Sequence, residues 1–307
     1  SMAGHTDEVE MALFLRGFGV PYWALTYVFG HNDQYWQRHV ERLGRYDMVG
    51  TTVKSAKKLP KHLLADEKHT RLNGEKSYIA TTVGDDCVLG VSVALKADTL
   101  HLTEAYGHSK EEMQRLDSEY QPETVNTDGW GPTINAWNIL YPMAVIIRGF
   151  LHAYISIRSC CKRLADFPEL CDKVWEVYRA ETEETFYEEV AELYAWAQSR
   201  FHGTAKAAIR KLCSKTGDFL LAFQHPDAYR TSNMIDRHME PMARCLYSAR
   251  YFHGHLMSAE FQIRGWAIMH NFRHYCPRSK IHKEYQSPAH KLNGFVYHDN
   301  WLHNLLI

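Results

Sequence analysis

The chain has 307 residues, 45% of them hydrophobic and 23% charged, with a formal net charge of −1. That composition is ordinary for a folded globular protein, and it excludes a uniformly basic nucleic-acid binder and a disordered chain. No window reaches the eighteen or more apolar residues of a membrane span, so no membrane contact is expected. The N-terminal "SMAGHTDEVE" is acidic rather than basic-then-apolar, so no secretory signal is expected. The seven cysteines are odd in number and contain no CxxC pair, which predicts reduced thiols in a cytoplasmic setting rather than a disulfide frame or structural zinc.

In chain order, "EVEMALFLRG" predicts a helix over 8–19, and "VPYWALTYVFG" a second with Pro21 in its first turn and Gly30 as its stop. "HNDQYWQRHVERLG" predicts a third, capped by Asn32 or Asp33 and stopped by Gly44. Two short helices around a glycine turn fit a helix-turn-helix in which Gln34, Gln37, Arg38 and Arg42 would contact DNA; the alternative is a small helical cap on the main domain.

A basic linker over 52–62 leads to a strand-like period. Strands are expected at 62–70, 76–86 and 87–95, with the hairpin at Gly84-Asp85-Asp86. A helix over 108–120 would be capped by Ser109 with Glu112 completing a capping box. Next come a strand ending at Asp128, a helix near 132–140 and a strand over 143–150, so the order β-β-β-α-β-α-β predicts a mixed sheet flanked by helices. Residues 158–222 read as helical, 232–270 as one or two long helices, and 277–307 as irregular.

Charge is unevenly spread. Residues 169–192 hold nine acids against two basic residues, and residues 237–291 nine Lys or Arg against three acids. The basic segment suggests a footprint for a polyanion. Arg237, Arg244 and Arg250 recur there among Tyr247 and Tyr251, a pairing that suits phosphate contact and base stacking; Arg264 and Arg273 continue the series beside Trp266.

Three acids stand out. Asp66 interrupts the apolar run "HLLADEKHT", where an unpaired carboxylate is costly to bury. Asp128 ends the fourth strand before Gly129-Trp130-Gly131, and reads equally as a turn residue. Asp236 sits at the start of a helix in "TSNMIDRHMEP". If the first and fourth strands are neighbours, Asp66 and Asp128 face one another and a cation is needed between them; hard oxygen donors select Mg²⁺ or Mn²⁺.

The succession of "LLADEKHTRLNGEKSYIATTVGDDCVLGVSV", "PETVNTDGWGPTINAW", "AVIIRGFLHAYISIR" and "RTSNMIDRHMEPM…HNFRHY" resembles the catalytic core of bacterial insertion-sequence transposases of the DDE type over about residues 60–275. The resemblance implies a ribonuclease-H-like α/β fold with an all-helical insertion, and a two-metal site made by Asp66, Asp128 and Asp236 for metal-dependent strand cleavage and strand transfer. This chain departs from the family in two places. Asp236 stands where Glu is usual, which leaves Glu240, one turn on, as a rival third ligand. Gly149 stands where the family often has Cys, three residues before a retained His152 that would position DNA or serve as a core histidine. Glu67 would support the site from behind or be exposed, and Trp130 would join Arg237, Arg244, Arg250, Gln37 and Arg38 in contacting DNA.

The expected regions are 1–58, helical and helix-turn-helix-like; 59–157, first part of the core; 158–225, helical insertion; 226–276, last core helices; and 277–307, irregular tail. The expected partner is double-stranded DNA, both element ends and target, bound by a homo-oligomer in the nucleoid. The alternatives are a DNA-binding derivative without catalysis and a nuclease that never joins strands.

Overall fold

The computed structural model describes residues 6–231 and 233–307. Three helices open it, α1 (Thr6–Gly17), α2 (Tyr22–Phe29) and α3 (Asp33–Leu43), followed by the short α4 (Met48–Thr52). Pro21 precedes α2, Gly30 ends it at φ 76°, and the Asn32 side chain caps α3 by accepting from the Tyr35 N–H at 2.8 Å.

An antiparallel meander follows: β1 (His62–Leu72), β2 (Glu75–Gly84) and β3 (Cys87–Ala94). Its second turn has Asp85 and Asp86 at φ 46° and 69°, the paired left-handed residues that match a two-residue hairpin to strand twist. After α5 (Thr99–Leu116) come β4 (Thr124–Thr127), α6 (Gly131–Leu140) and β5 (Val145–Arg148). Strand order is β3-β2-β1-β4-β5, with β1–β4 and β4–β5 parallel. The fold is therefore α/β, a five-stranded mixed sheet flanked by helices, as the element order predicts.

The helix expected from 108 starts nine residues earlier. Asp98 caps it by accepting from the His101 N–H, while Ser109 and Glu112 are buried inside it. Glu112 completes no capping box: its carboxylate accepts from the N–H groups of Met48 and Val49 at 2.7 and 3.1 Å and pairs with Arg264. A capping-box pattern is local, whereas this carboxylate serves another helix 63 residues away.

Five helices form the next unit: α7 (Phe150–Cys161), α8 (Phe167–Arg179), α9 (Glu183–Arg200), α10 (Gly203–Ser214) and α11 (Thr216–Gln224). They enclose a core of their own around Leu170, Val174, Phe186, Leu193 and Ile209. Two long helices follow, α12 (Asn233–Ser248) and α13 (Leu256–Phe272), then α14 (Pro288–Asn293) and α15 (Trp301–Leu306). The tail expected to be irregular thus holds two helices, too short to show a period; Trp301, Leu302 and Leu305 bury against the main core.

Alternation along β1 sends successive side chains to opposite faces. Leu64 joins a core with Ile79, Met239, Met242 and Trp266, and the N-terminal helices share it through Leu13, Leu25, Trp36 and Val40. Leu63 and Ala65 face the other way, onto Tyr106, Met113 and Trp137. The N-terminal helices are therefore packed into the main core. Backbone meets backbone there: a Cβ on Gly44 would lie 1.8 Å from the Phe261 carbonyl oxygen, and one on Gly265 2.1 Å from that of Val40. Because those atoms belong to helices that cannot bend aside, Gly44→Ala should destabilise by about 2–3 kcal/mol, read as a lower urea midpoint at unchanged slope. A midpoint equal to wild type would refute this close approach.

Candidate active site

In the parallel β1–β4 pair Leu64 lies opposite Asn126, so two residues further along the strands bring Asp66 beside Asp128. Asp66 shares the face of Leu64, the side covered by α12, and α12 carries Asp236 in its first turn. Three separate elements thus direct acids toward one region. Burial, then the fields of Asp128 and Asp236, push the Asp66 carboxyl up to about 6, against a hydrogen bond from the Glu67 N–H and the nearby His152. Asp128 is half-buried and Asp236 exposed. Asp128 is also the turn residue it resembled: its Oδ1 accepts from the Trp130 N–H at 2.8 Å, and Gly129 turns the chain at φ 85°.

Among the described residues, no group of three or more His, Cys, Asp or Glu side chains stands close enough to hold a metal ion by itself. The donor chemistry nevertheless fits a divalent ion. None of the three carboxylates forms an ion pair with Lys or Arg among the described residues, and Mg²⁺ is commonly held by one or two carboxylates with the rest of its shell from water and substrate phosphate. Ser232 of the "TSN" segment and the Asn233 side chain lie outside what is described.

Glu240, the rival third ligand, is exposed and paired with Arg244 one turn on. Asp236 is among the groups whose charge raises Asp66. Glu67 lies on the opposite face of β1 from Asp66, where its Oε1 accepts from the Tyr106 hydroxyl at 2.6 Å and from the Thr133 hydroxyl at 2.7 Å, in the first turn of α6. Burial pushes its carboxyl up to about 7, against those two hydrogen bonds. An acid whose pKa is raised by folding binds more protons folded than unfolded, so stability falls as pH rises from its ordinary 4.5 to about 7 and is flat beyond. Glu67→Gln should remove much of that slope and raise stability at pH 8 by on the order of 1–3 kcal/mol. Parallel slopes for wild type and variant in urea titrations across this range would exclude it.

His152, on α7, lies near Asp66 and lines a cleft of about 250 Å³ with Asp128, Trp130, Arg148, Lys211 and Lys215. Arg148 pairs with Asp218 at 2.9 Å. Burial, and then Arg148 and Lys211, lower the Lys215 ammonium. Sequence reading missed Lys211, on α10, and Lys215, in the turn that follows it, whose only signal is a pair of lysines remote in sequence from all three acids. Gly149 begins α7 at φ −67°, and a Cβ there would meet nothing nearer than 3.4 Å. That Cβ would be 3.6 Å from Asn126 Oδ1, a buried oxygen without a hydrogen-bond partner among the described residues. Gly149→Ser should therefore stabilise by about 1 kcal/mol, through helix capping and a stiffer unfolded chain, raising Tm by roughly 2–4 °C. A lower Tm would mean that the site has no room.

Of the residues expected to touch DNA, Arg38, Arg237, Arg244, Arg250 and Trp130 are exposed. Gln37 is half-buried, donating to Glu41 at 2.7 Å. Arg264 and Arg273 are taken up inside the fold, Arg264 by Glu112 and Arg273 by the Gly17 carbonyl. A cavity of about 850 Å³ opens between α5 and α13 away from the three acids, and two ion pairs, Arg115–Asp47 and Arg264–Glu112, stand in its wall. No described helix is long and apolar enough to cross a membrane. No family model matches the chain, and no curated protein matches it.

Proposed function

We propose that the protein is a DNA transposase of the DDE type with a ribonuclease-H-like core, cleaving and joining DNA strands at Asp66, Asp128 and Asp236. The observation that carries this reading is the approach of three acids from a central strand, its parallel neighbour and a later helix, with Asp66 raised by the other two. The sheet order, with a helical unit inserted before α12, agrees with it. A Mg²⁺ or Mn²⁺ ion held by Asp66 and Asp128 would polarise the scissile phosphate and activate water or a 3′-hydroxyl as nucleophile.

The chain's own groups do the rest. Asp66, on a strand paired on both sides, is a fixed donor. Asp236, one methylene shorter than Glu, reaches from the start of α12. Lys211 and Lys215 across the cleft from Asp128 would draw a phosphodiester in, and Trp130, 38% exposed, would stack on an unpaired base. Arg244 and Arg250 extend the cationic surface along double-stranded DNA, and synapsis of two element ends would require at least a dimer.

A second reading, a DNA-binding derivative without catalysis, is favoured by the exposure of Asp236 and the short reach of its side chain. Incubation of end-containing supercoiled and linear DNA with Mg²⁺ or Mn²⁺ separates the two. Nicks and joined products support the transposase, cutting without joining a nuclease, and retention without cutting the derivative.

A further inference from the structure

A second cationic feature lies on another face of α12. A cavity of about 460 Å³ opens among α12, the end of α13 and the residues after it, and is lined by Arg237, Arg273 and Lys280. Its single carboxylate is Asp86, from the β2–β3 hairpin. That carboxylate is already engaged: the Tyr275 hydroxyl donates to it at 2.9 Å, and Lys291 and His238 each lie 3.6 Å away. Burial opposes its ionisation, yet His238, Lys291 and Tyr275 hold it down at about 2. It therefore has little charge left to offer the other cations.

Arg273 is the anomaly. It is only 9% exposed and forms no ion pair among the described residues. Its guanidinium donates to the Gly17 carbonyl, contacts His270 Nδ1 at 2.9 Å and lies 4.3 Å over the Phe18 ring, all neutral partners. Burial lowers it to about 10, so it remains charged at neutral pH. A buried cation without a counter-ion is costly. Beside it, His238 is 4% exposed, shares a hydrogen bond of 2.8 Å with His270, and turns Nε2 toward Asp86 Oδ1 at 3.6 Å. A cationic wall and a buried guanidinium without a counter-ion among the described residues call for an anion.

We propose that this cavity is a binding site for the phosphate of a phosphate ester, held by Arg237, Arg273 and Lys280. Its volume exceeds a bare phosphate and falls in the range of small-ligand pockets, so part of the esterified group enters too. Arginine suits phosphate because its planar fork gives two parallel hydrogen bonds. The phosphate assignment stands on the cavity alone. A free nucleotide and a DNA strand present the same chemistry, and only the DNA source rests on the transposase reading, since Arg237 follows Asp236 in the chain.

The test is calorimetric titration, without divalent metal, of inorganic phosphate, adenosine monophosphate and a short duplex into wild type, Arg237→Gln and Lys280→Gln, two variants that empty no buried position. Binding of at least one probe, weakened about tenfold by each variant, is expected, since one charged hydrogen bond is worth roughly 1.4 kcal/mol or more. Displacement of phosphate by the duplex names a DNA strand as the source, and tighter binding of the mononucleotide without competition by the duplex names a free nucleotide; both uphold the site. No binding of any probe tighter than about 1 mM overturns it, as does binding that neither variant changes. Because the readout needs neither metal nor cleavage, failure of this site and failure of the transposase reading are seen separately.

Discussion

On the proposed transposase reading, Asp66→Asn is expected to abolish metal-dependent strand cleavage while stabilising the metal-free fold. The loss in rate is expected to be at least ~10³-fold, about 4 kcal/mol of transition-state stabilisation, because a neutral amide can neither balance a divalent ion nor fix it on the central strand. The gain in stability has the opposite sign and a separate cause. Burial and two neighbouring acids raise the Asp66 carboxyl from 3.8 to about 6, so above that pH the fold carries the cost of keeping it ionised. Asparagine keeps an oxygen for the Glu67 N–H at that position and removes the charge. Plasmid nicking with Mn²⁺ and urea unfolding at pH 8 in chelator read the two effects. A variant that cuts as well as wild type sinks the three-acid site, and one that neither cuts nor gains stability reduces Asp66 to a structural residue. Asp236→Glu should raise cutting by restoring the longer reach. Loss of cutting in Glu240→Gln, with full cutting in Asp236→Asn, would instead make Glu240 the third ligand.

Glu112→Ala costs about 3–5 kcal/mol, the largest stability effect expected in the molecule, because it removes one partner of a buried ion pair. The Arg264 and Glu112 side chains are 11% and 6% exposed. Arg264 also donates to the carbonyls of Gly44 and Tyr46 at 2.9 Å, so one guanidinium holds the end of α3 against α13. With Glu112 gone, the guanidinium stays buried without its counter-charge, and the Met48 and Val49 N–H groups at the start of α4 lose their acceptor. Glu112→Gln should cost less, since the amide oxygen still accepts. Chemical denaturation that places both variants within 1 kcal/mol of wild type would show that this node is not what joins the N-terminal helices to the sheet.

What the chain alone determined is whatever depends on near neighbours. Strand periodicity, the Gly84-Asp85-Asp86 turn and the β-β-β-α-β-α-β order suffice for a mixed sheet, because alternation and turn chemistry act within a few residues. An acid among Leu63, Leu64 and Ala65 marked Asp66, since nothing local could offset its charge.

The tertiary structure decided which local signals are used. Ser109 and Glu112 spell a helix start, yet sit inside a helix capped by Asp98, eleven residues before Ser109, because Glu112 answers to Arg264 and α4. Five arginines in one segment look alike, and only packing separates Arg264, half-buried, and Arg273, buried, from Arg237, Arg244 and Arg250, which face water. Lys211 and Lys215 meet Asp128 only after five helices have folded around their own core. Contacts of long sequence separation leave no periodicity for a local pattern to reveal, and those are the contacts from which clefts are built.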